Sequence, residues 1–488
     1  MKPTINTLGE LKLANYQSKS VKHEMRDNLI DFLKAKQNPF PGIQGYEETV
    51  IPQLQTALLS EHNIIFLGLR GQAKTRMARL MLNLLDEYMP IVAGSEINDD
   101  PLQPLSKFAI DLIAEKGDET VIEWIHRSER YTEKLATPDV SVADLIGDVD
   151  PIKAATLKLP YNDERVIHFG LIPRSHRCIF VINELPDLQA RIQVSLFNIL
   201  QEGDLQIRGF KLRFPLDVQF VFTANPEDYT NRGSIVTPLK DRIDSQILTH
   251  YPRTIELAKS ITTQEAHVKV EQQKAITVSN LLLDLIEQIA MEARASDLVD
   301  QKSGVSARLT ISALENLYSA AERRMLLIGA DKTEARIADL FSVLPSITGK
   351  VELVYEGELE GAVNVAQMLI GKAIRTMFAS KFANPEKAKK SKQGNPYATI
   401  LNWFNDGYNV ELLTQLDDLA YQKALLTVEG LGELIKEKYP KEPESEKVLL
   451  MELVLHGLAE YSQLSRHNLS KGIAFKDLMS AMFNKDVE

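Results

Sequence analysis

Eight consecutive residues carry the first recognisable chemistry of this chain: Gly68-Leu69-Arg70-Gly71-Gln72-Ala73-Lys74-Thr75. Small residues let successive backbone N–H groups curl around phosphate oxygens, and a helix starting at the end of such a run adds the positive end of its dipole. Lys74 supplies a mobile positive charge for the outer phosphates, and the Thr75 hydroxyl can ligate magnesium. Gly68, Arg70, Gly71, Gln72, Ala73, Lys74 and Thr75, with Arg76 one position on, are therefore the candidate nucleotide-binding residues. The run departs from the GxxxxGK(S/T) pattern once, with Ala73 in place of the second glycine. An alanine adds one methyl and suits the first turn of a helix, so the cradle is expected to survive.

A second group follows in Phe180-Val181-Ile182-Asn183-Glu184-Leu185, where an apolar run ends on polar residues. Cleaving a nucleoside triphosphate calls for one carboxylate near the magnesium and another to polarise the attacking water. Glu184 stands at the general-base position, whereas Asn183 stands where an aspartate is usual. Asn183 can accept a hydrogen bond from a metal-bound water but brings no charge, so magnesium retention leans on Thr75 and on the phosphates. Hydrolysis is accordingly expected to be slowed. The bland alternative for Glu184 is a helix-start carboxylate favoured by the dipole. His168 and His176 have no metal-ligand spacing and read as structural or surface residues.

Both groups need strands to position them. Ile64-Ile65-Phe66-Leu67, Ile179-Phe180-Val181-Ile182 and Val218-Gln219-Phe220-Val221-Phe222 are short apolar runs, and the first leads directly into the glycine loop. After the loop, Met77, Leu80, Met81, Leu84 and Leu85 fall at the spacing of a core-facing helix. From about 41 to 255 such runs alternate with amphipathic helices, the pattern of a parallel sheet with helical crossovers. The charge-rich segment 96–132 reads as an insertion and not as a sheet element. Residues 1–40 form a helical lead-in marked by Met25, Leu29, Phe32 and Leu33. Residues 256–345 have a purely helical pattern that includes Leu309, Ile311, Leu314, Leu317 and Tyr318, and 346–488 is largely helical. Within the latter, the lysine-rich stretch 384–395 reads as a flexible, solvated loop, and Trp403 and Phe404 as packing residues.

Composition sets bounds. The 488 residues are 44% hydrophobic, enough for several domains with real cores. A net charge of −11 disfavours a nucleic-acid-wrapping role. The single cysteine, Cys178, rules out a disulfide within the chain and fits a reducing compartment as a buried strand residue. The opening residues lack an apolar signal segment and no long apolar run is present, so a soluble, cytoplasmic protein without a membrane span is expected.

The stretch from Asn183 to Tyr229 resembles the MoxR-type AAA+ ATPases and the small ATPase subunit of magnesium chelatase. Other blocks agree in order: Gly42-Ile43-Gln44-Gly45, Thr137-Pro138-Asp139, Asp144-Leu145-Ile146-Gly147 and Phe169-Gly170-Leu171-Ile172-Pro173. The resemblance covers about 42–345. It implies an α/β fold, a P-loop AAA+ core built as an αβα sandwich (41–255), then an all-α lid (256–345) and a helical C-terminal region. It implies ATP and Mg2+ as cofactors, with Ile43 and Gly45 framing the adenine and with Thr75 and Asn183 on the metal side. Glu184 is the implied catalytic base, Asn225 resembles sensor 1, Arg242 the arginine finger and Arg308 sensor 2. The segment Leu205 to Phe214 reads as a hairpin turning at Gly209-Phe210; in the resembling proteins it projects towards partners, and the alternative is a plain connection.

What the resemblance implies for function is an ATP-driven remodelling factor working as a ring, a hexamer, with a partner that carries a von Willebrand factor A (VWA) domain. Loading a metal into a cofactor or maturing a protein complex would both suit it. A nucleotide-gated scaffold with weak hydrolysis, motivated by Asn183, is the rival from another class. A nucleic-acid motor or transcriptional regulator is the third, disfavoured by the acidic balance and by the lack of a GAFTGA-like loop.

Overall fold

The computed structural model describes residues 2–161, 163–205, 207, 210, 214–225, 234–388, 394–469 and 471–478. The chain divides into two compact units, Met1–His250 and Tyr251–Glu488.

In the first unit, β1 (Ile64–Leu67), β2 (Tyr131–Leu135), β3 (Cys178–Asn183), β4 (Val218–Ala224) and β5 (Ser245–Leu248) form one sheet in the order β5-β1-β4-β3-β2. Every neighbouring pair is parallel. The central strands β1, β3 and β4 are buried from end to end, because both faces of the sheet are covered. On one face Ile64, Phe66, Ile179, Val181 and Val221 pack with residues of α1 (Val21–Lys34) and α2 (Lys74–Leu80). On the other, Ile65, Leu67, Phe180, Ile182 and Phe222 pack with Leu185, Ile192, Leu196 and Ile199. This alternation makes the αβα sandwich.

Two expectations change here. The segment 96–132 is not simply an insertion: Ile122–His126 pairs antiparallel with Tyr88–Val92, and Tyr131 opens the edge strand β2. An edge strand is shielded on one side only and needs no apolar run, so Tyr-Thr-Glu-Lys-Leu gives little strand signal. The lead-in belongs to the core of this unit, since Met25 and Leu29 are fully buried in the same cluster as β1 while Leu33 is exposed. Glu24 clamps it there, taking a two-pronged ion pair from the buried Arg130 at 2.7 Å on each prong. Cys178 opens β3 fully enclosed, and burial pushes its thiol up to about 11.

The second unit is mostly helical. Its apolar cluster joins α3 (Asn280–Ala295), α4 (Arg308–Ile328), α5 (Ala362–Lys381) and α6 (Glu444–Glu460). It also holds small sheets that the helical pattern did not reveal. Ile276–Thr277 pairs with Thr333–Glu334. Further on, β6 (Val410–Leu413), β7 (Ser465–Leu469) and β8 (Gly472–Lys476) form an antiparallel sheet in the order β6-β8-β7. Phe404 is fully buried, and Trp403 packs edge-on to it and flat on Tyr408. Within α6, Glu452 accepts from the backbone N–H groups of Ile337 and Ala338 and from the Tyr421 hydroxyl, yet burial pushes its carboxyl up to about 7. Of the lysine-rich stretch, residues 389–393 lie outside the described residues. Among the described residues no helix is long and apolar enough to cross a membrane.

Candidate functional site

The carboxyl ends of β1, β3 and β4 lie side by side, since Leu67 is level with Ala224 and Ile182 with Phe222. In open parallel sheets this edge is where ligands sit. Three polar elements converge on it: the loop after β1, the Asn183-Glu184 pair after β3, and Asn225 after β4.

The loop is held by specific contacts. The Gly68 N–H donates to the Ala224 carbonyl at 3.2 Å. The Gln72 side chain accepts from the Thr249 hydroxyl at 2.6 Å, and its backbone carbonyl accepts from the Tyr46 hydroxyl at 3.0 Å. A Cβ at Gly68 would lie 1.8 Å from the Thr249 hydroxyl oxygen and 2.3 Å from Gln72 Oε1, so a larger residue there would have to displace both side chains and break their hydrogen bond. Lys74 opens α2 with its side chain buried, and Nζ donates to the carbonyl of Gly68 and, at 3.1 Å, to that of Leu69. Arg70 is exposed and Arg76 half-buried.

Ala73 differs from expectation. It precedes the helix in the left-handed conformation, with φ 56° and ψ 17°, and so lies outside the first helical turn. A Cβ in that region costs about 1–2 kcal/mol, which explains why glycine is the usual occupant. Glu184 is also left-handed, at φ 54°, where β3 gives way to a short turn.

Asn183 is the hub. Its Oδ1 accepts from the Thr223 hydroxyl at 3.0 Å and from the Thr75 hydroxyl at 3.3 Å, which ties the end of β3 to the start of α2. The Thr223 oxygen in turn accepts from the Glu184 N–H at 3.2 Å. On its other side, Asn183 Nδ2 donates to Glu133 Oε1 at 2.5 Å. Glu133 also takes an ion pair from Arg79 at 2.8 Å and a hydrogen bond from the Tyr131 hydroxyl at 3.1 Å. That bond and burial hold the Tyr131 phenol above its ordinary range, burial being the larger cause.

Asn225 is buried, and its Oδ1 has no hydrogen-bond partner among the described residues. Arg242 is half-buried: its Nε donates to Gln201 at 3.0 Å, a terminal nitrogen donates to the Pro238 carbonyl at 2.8 Å, and its guanidinium lies over the Phe197 ring. Ile43 packs in the core beside Tyr46, whose hydroxyl reaches the loop, and Gly45 precedes Tyr46 at φ 80°. Arg308 stands exposed at the first residue of α4, in the second unit. His168 is exposed, while His176 is buried, accepts from the Asp217 N–H at 3.0 Å and is held down to about 4 by burial. Of the hairpin expected at 205–214, the ends pair as Asp204–Leu205 with Phe214–Pro215, and Gly209 lies outside the described residues.

The residue that sequence reasoning missed is Glu133. Its signal was present, a carboxylate alternating with Tyr131 just before Thr137-Pro138, but it has meaning only once β2 is known to be a strand. The Thr75 hydroxyl and Asn183 Oδ1 are two neutral oxygens that could face a magnesium ion. This suits an ion that keeps its waters and takes its remaining ligands from substrate phosphates. Among the described residues, no group of three or more His, Cys, Asp and Glu side chains could hold a metal by itself.

A parallel sheet in this order, with a glycine-containing loop between β1 and α2 and polar ends on β3 and β4, makes an α/β fold with helices on both faces, followed by mostly helical structure. No protein-family model matches the chain. Among solved structures it is similar to a candidate ATPase from Cytophaga hutchinsonii, with 17% identity over 74% of this chain and 97% of that one and a TM-score of 0.29. It is also similar to a structure of the complex between subunits BchI and BchD of magnesium chelatase, with 18% identity, 70% and 95% coverage and a TM-score of 0.35. A third similar structure is NtrX from Brucella abortus, with 13% identity, 59% and 55% coverage and a TM-score of 0.34.

Proposed function

We propose that this chain binds Mg-ATP in the loop between β1 and α2 and hydrolyses it, working as a ring that remodels or loads a partner. One observation carries the reading: the Thr75 hydroxyl donates to Asn183 Oδ1, so the phosphate loop and the polar end of β3 form one site. Backbone N–H groups from Gly68 to Thr75 and the Lys74 ammonium would hold the phosphates. Magnesium, when bound, would neutralise charge on the outer phosphates. Glu184 would take the role of the base that polarises water, and the Asn225 oxygen, which has no partner among the described residues, would orient that water. In the ring, Arg242 would reach the neighbouring subunit's nucleotide, and Arg308 keeps the sensor 2 role that the resemblance implies. A VWA-domain protein is the proposed partner. Metal loading and complex maturation both remain open to such a machine.

The test measures binding of a fluorescent ATP analogue, phosphate release and particle mass on one set of variants. Lys74→Ala is expected to weaken nucleotide binding by about ten- to a hundredfold, the worth of a charge-assisted hydrogen bond. Glu184→Gln should keep binding and ring mass while turnover drops by about two orders of magnitude or more. Absence of nucleotide binding, or indifference to Lys74→Ala, would sink the reading. Asn183 motivates a second one: tight binding with no Glu184-dependent release would make the chain a nucleotide-gated scaffold.

A further inference from the structure

We propose that Glu133 is a positioning residue of the nucleotide site: by accepting from Asn183 Nδ2 it turns the Asn183 carbonyl oxygen towards Thr75, and the pair replaces the missing aspartate. The proposal rests on the nucleotide-site reading above.

An asparagine amide has two unlike ends, and only its oxygen can accept from Thr75 or from a metal-bound water. Left alone, the amide could turn over and present its NH2 group to that place. Here the choice is enforced from both sides. A carboxylate oxygen 2.5 Å from Nδ2 can only accept, so the NH2 end must face Glu133. The Thr75 and Thr223 hydroxyls, at 3.3 Å and 3.0 Å, donate to the opposite end. Register allows the reach. Glu133 is level with Val181 on the neighbouring strand, two residues before Asn183, and alternation puts Val181 and Asn183 on one face. Glu133 is held in turn by Arg79, from the helix that begins at the phosphate loop, and by Tyr131. The carboxylate that position 183 lacks is thus present one strand away, ion-paired to Arg79 of α2.

The arrangement makes an unusual demand. Restoring the aspartate should harm the site, because Asn183→Asp sets two carboxylates against each other where a donor and an acceptor now meet. Two carboxylates sharing a site cannot both ionise freely, and one of them holds its proton to higher pH. Removing the second charge with Glu133→Gln should relieve this.

Two measurements test the proposal, one with nucleotide and one without. In the first, a fluorescent ATP analogue is titrated with magnesium. N183D is expected to need about tenfold more magnesium than wild type for half-maximal binding, and N183D/E133Q to recover most of that loss. E133A should also raise the requirement, while E133Q, which keeps an oxygen for Nδ2, falls between E133A and wild type. In the second, thermal unfolding of the nucleotide-free protein is followed from pH 5 to pH 8. N183D should lose stability relative to wild type as pH rises, and N183D/E133Q should follow wild type. If N183D binds magnesium as well as wild type and its unfolding tracks wild type at every pH, the proposal is overturned. Wild type that binds no nucleotide, together with a pH-sensitive N183D rescued by E133Q, would overturn the nucleotide reading while leaving the pairing intact.

Discussion

At the scale of single residues, Ala73 and Glu133 show two ways in which a local signal misleads. Ala73 satisfies the spacing of the phosphate loop, and its small side chain was compatible with a helical first turn. Conformation, which spacing does not encode, places it at φ 56° instead. Ala73→Gly should relieve the left-handed Cβ, offset in part by the greater freedom glycine gives the unfolded chain. The expected net gain is roughly 0.5–1 kcal/mol, a rise of about 1–4 °C in the first unit's unfolding temperature. An unchanged or lower midpoint in calorimetry would show that the loop is not strained at this position. Glu133 was hidden for a different reason. Carboxylates are common on surfaces, and only pairing with β3 turns this one towards Asn183.

At the scale of elements, legibility followed burial. Strands β1, β3 and β4 announced themselves as apolar runs because the sheet covers them on both sides. The half-exposed edge strand β2 and the polar β7 gave no such run, and they were not identified. Helix α1 was legible as a helix, but nothing in its pattern said where it docks. The dock depends on the pair between Glu24 and Arg130, whose guanidinium is fully buried and also donates to the Arg177 carbonyl. Glu24→Ala leaves that cation without its counter-charge and should cost about 3–5 kcal/mol by urea unfolding. The double variant Glu24→Leu with Arg130→Met, which removes both charges and keeps apolar volume, should cost clearly less. Equal losses would mean that the pair's packing matters and its charge does not.

At the scale of the molecule, each unit has its own apolar clusters, and each should show its own response to solution conditions. In the second unit the buried Glu452 carboxyl sits at about 7, above its ordinary 4.5. A group whose folded value is raised contributes stability that is complete below about 4.5 and is lost as pH climbs through about 7. The unfolding temperature of the second unit should therefore fall between pH 5 and pH 8, by the equivalent of roughly 3 kcal/mol at most. Glu452→Gln should flatten that slope, because an amide does not titrate, and its NH2 end would face one of the donors that a carboxyl oxygen now serves. A wild-type profile that is flat, or that rises with pH, would contradict the assignment.

The enclosure of Cys178 has a practical corollary. The chain's one native thiol lies buried at the start of β3 with its ionisation suppressed, so maleimide reagents should pass it by at neutral pH. The natural protein is thereby a silent background for site-directed labelling. A cysteine placed at exposed Arg70 could carry a dye on the phosphate loop with no other position to remove.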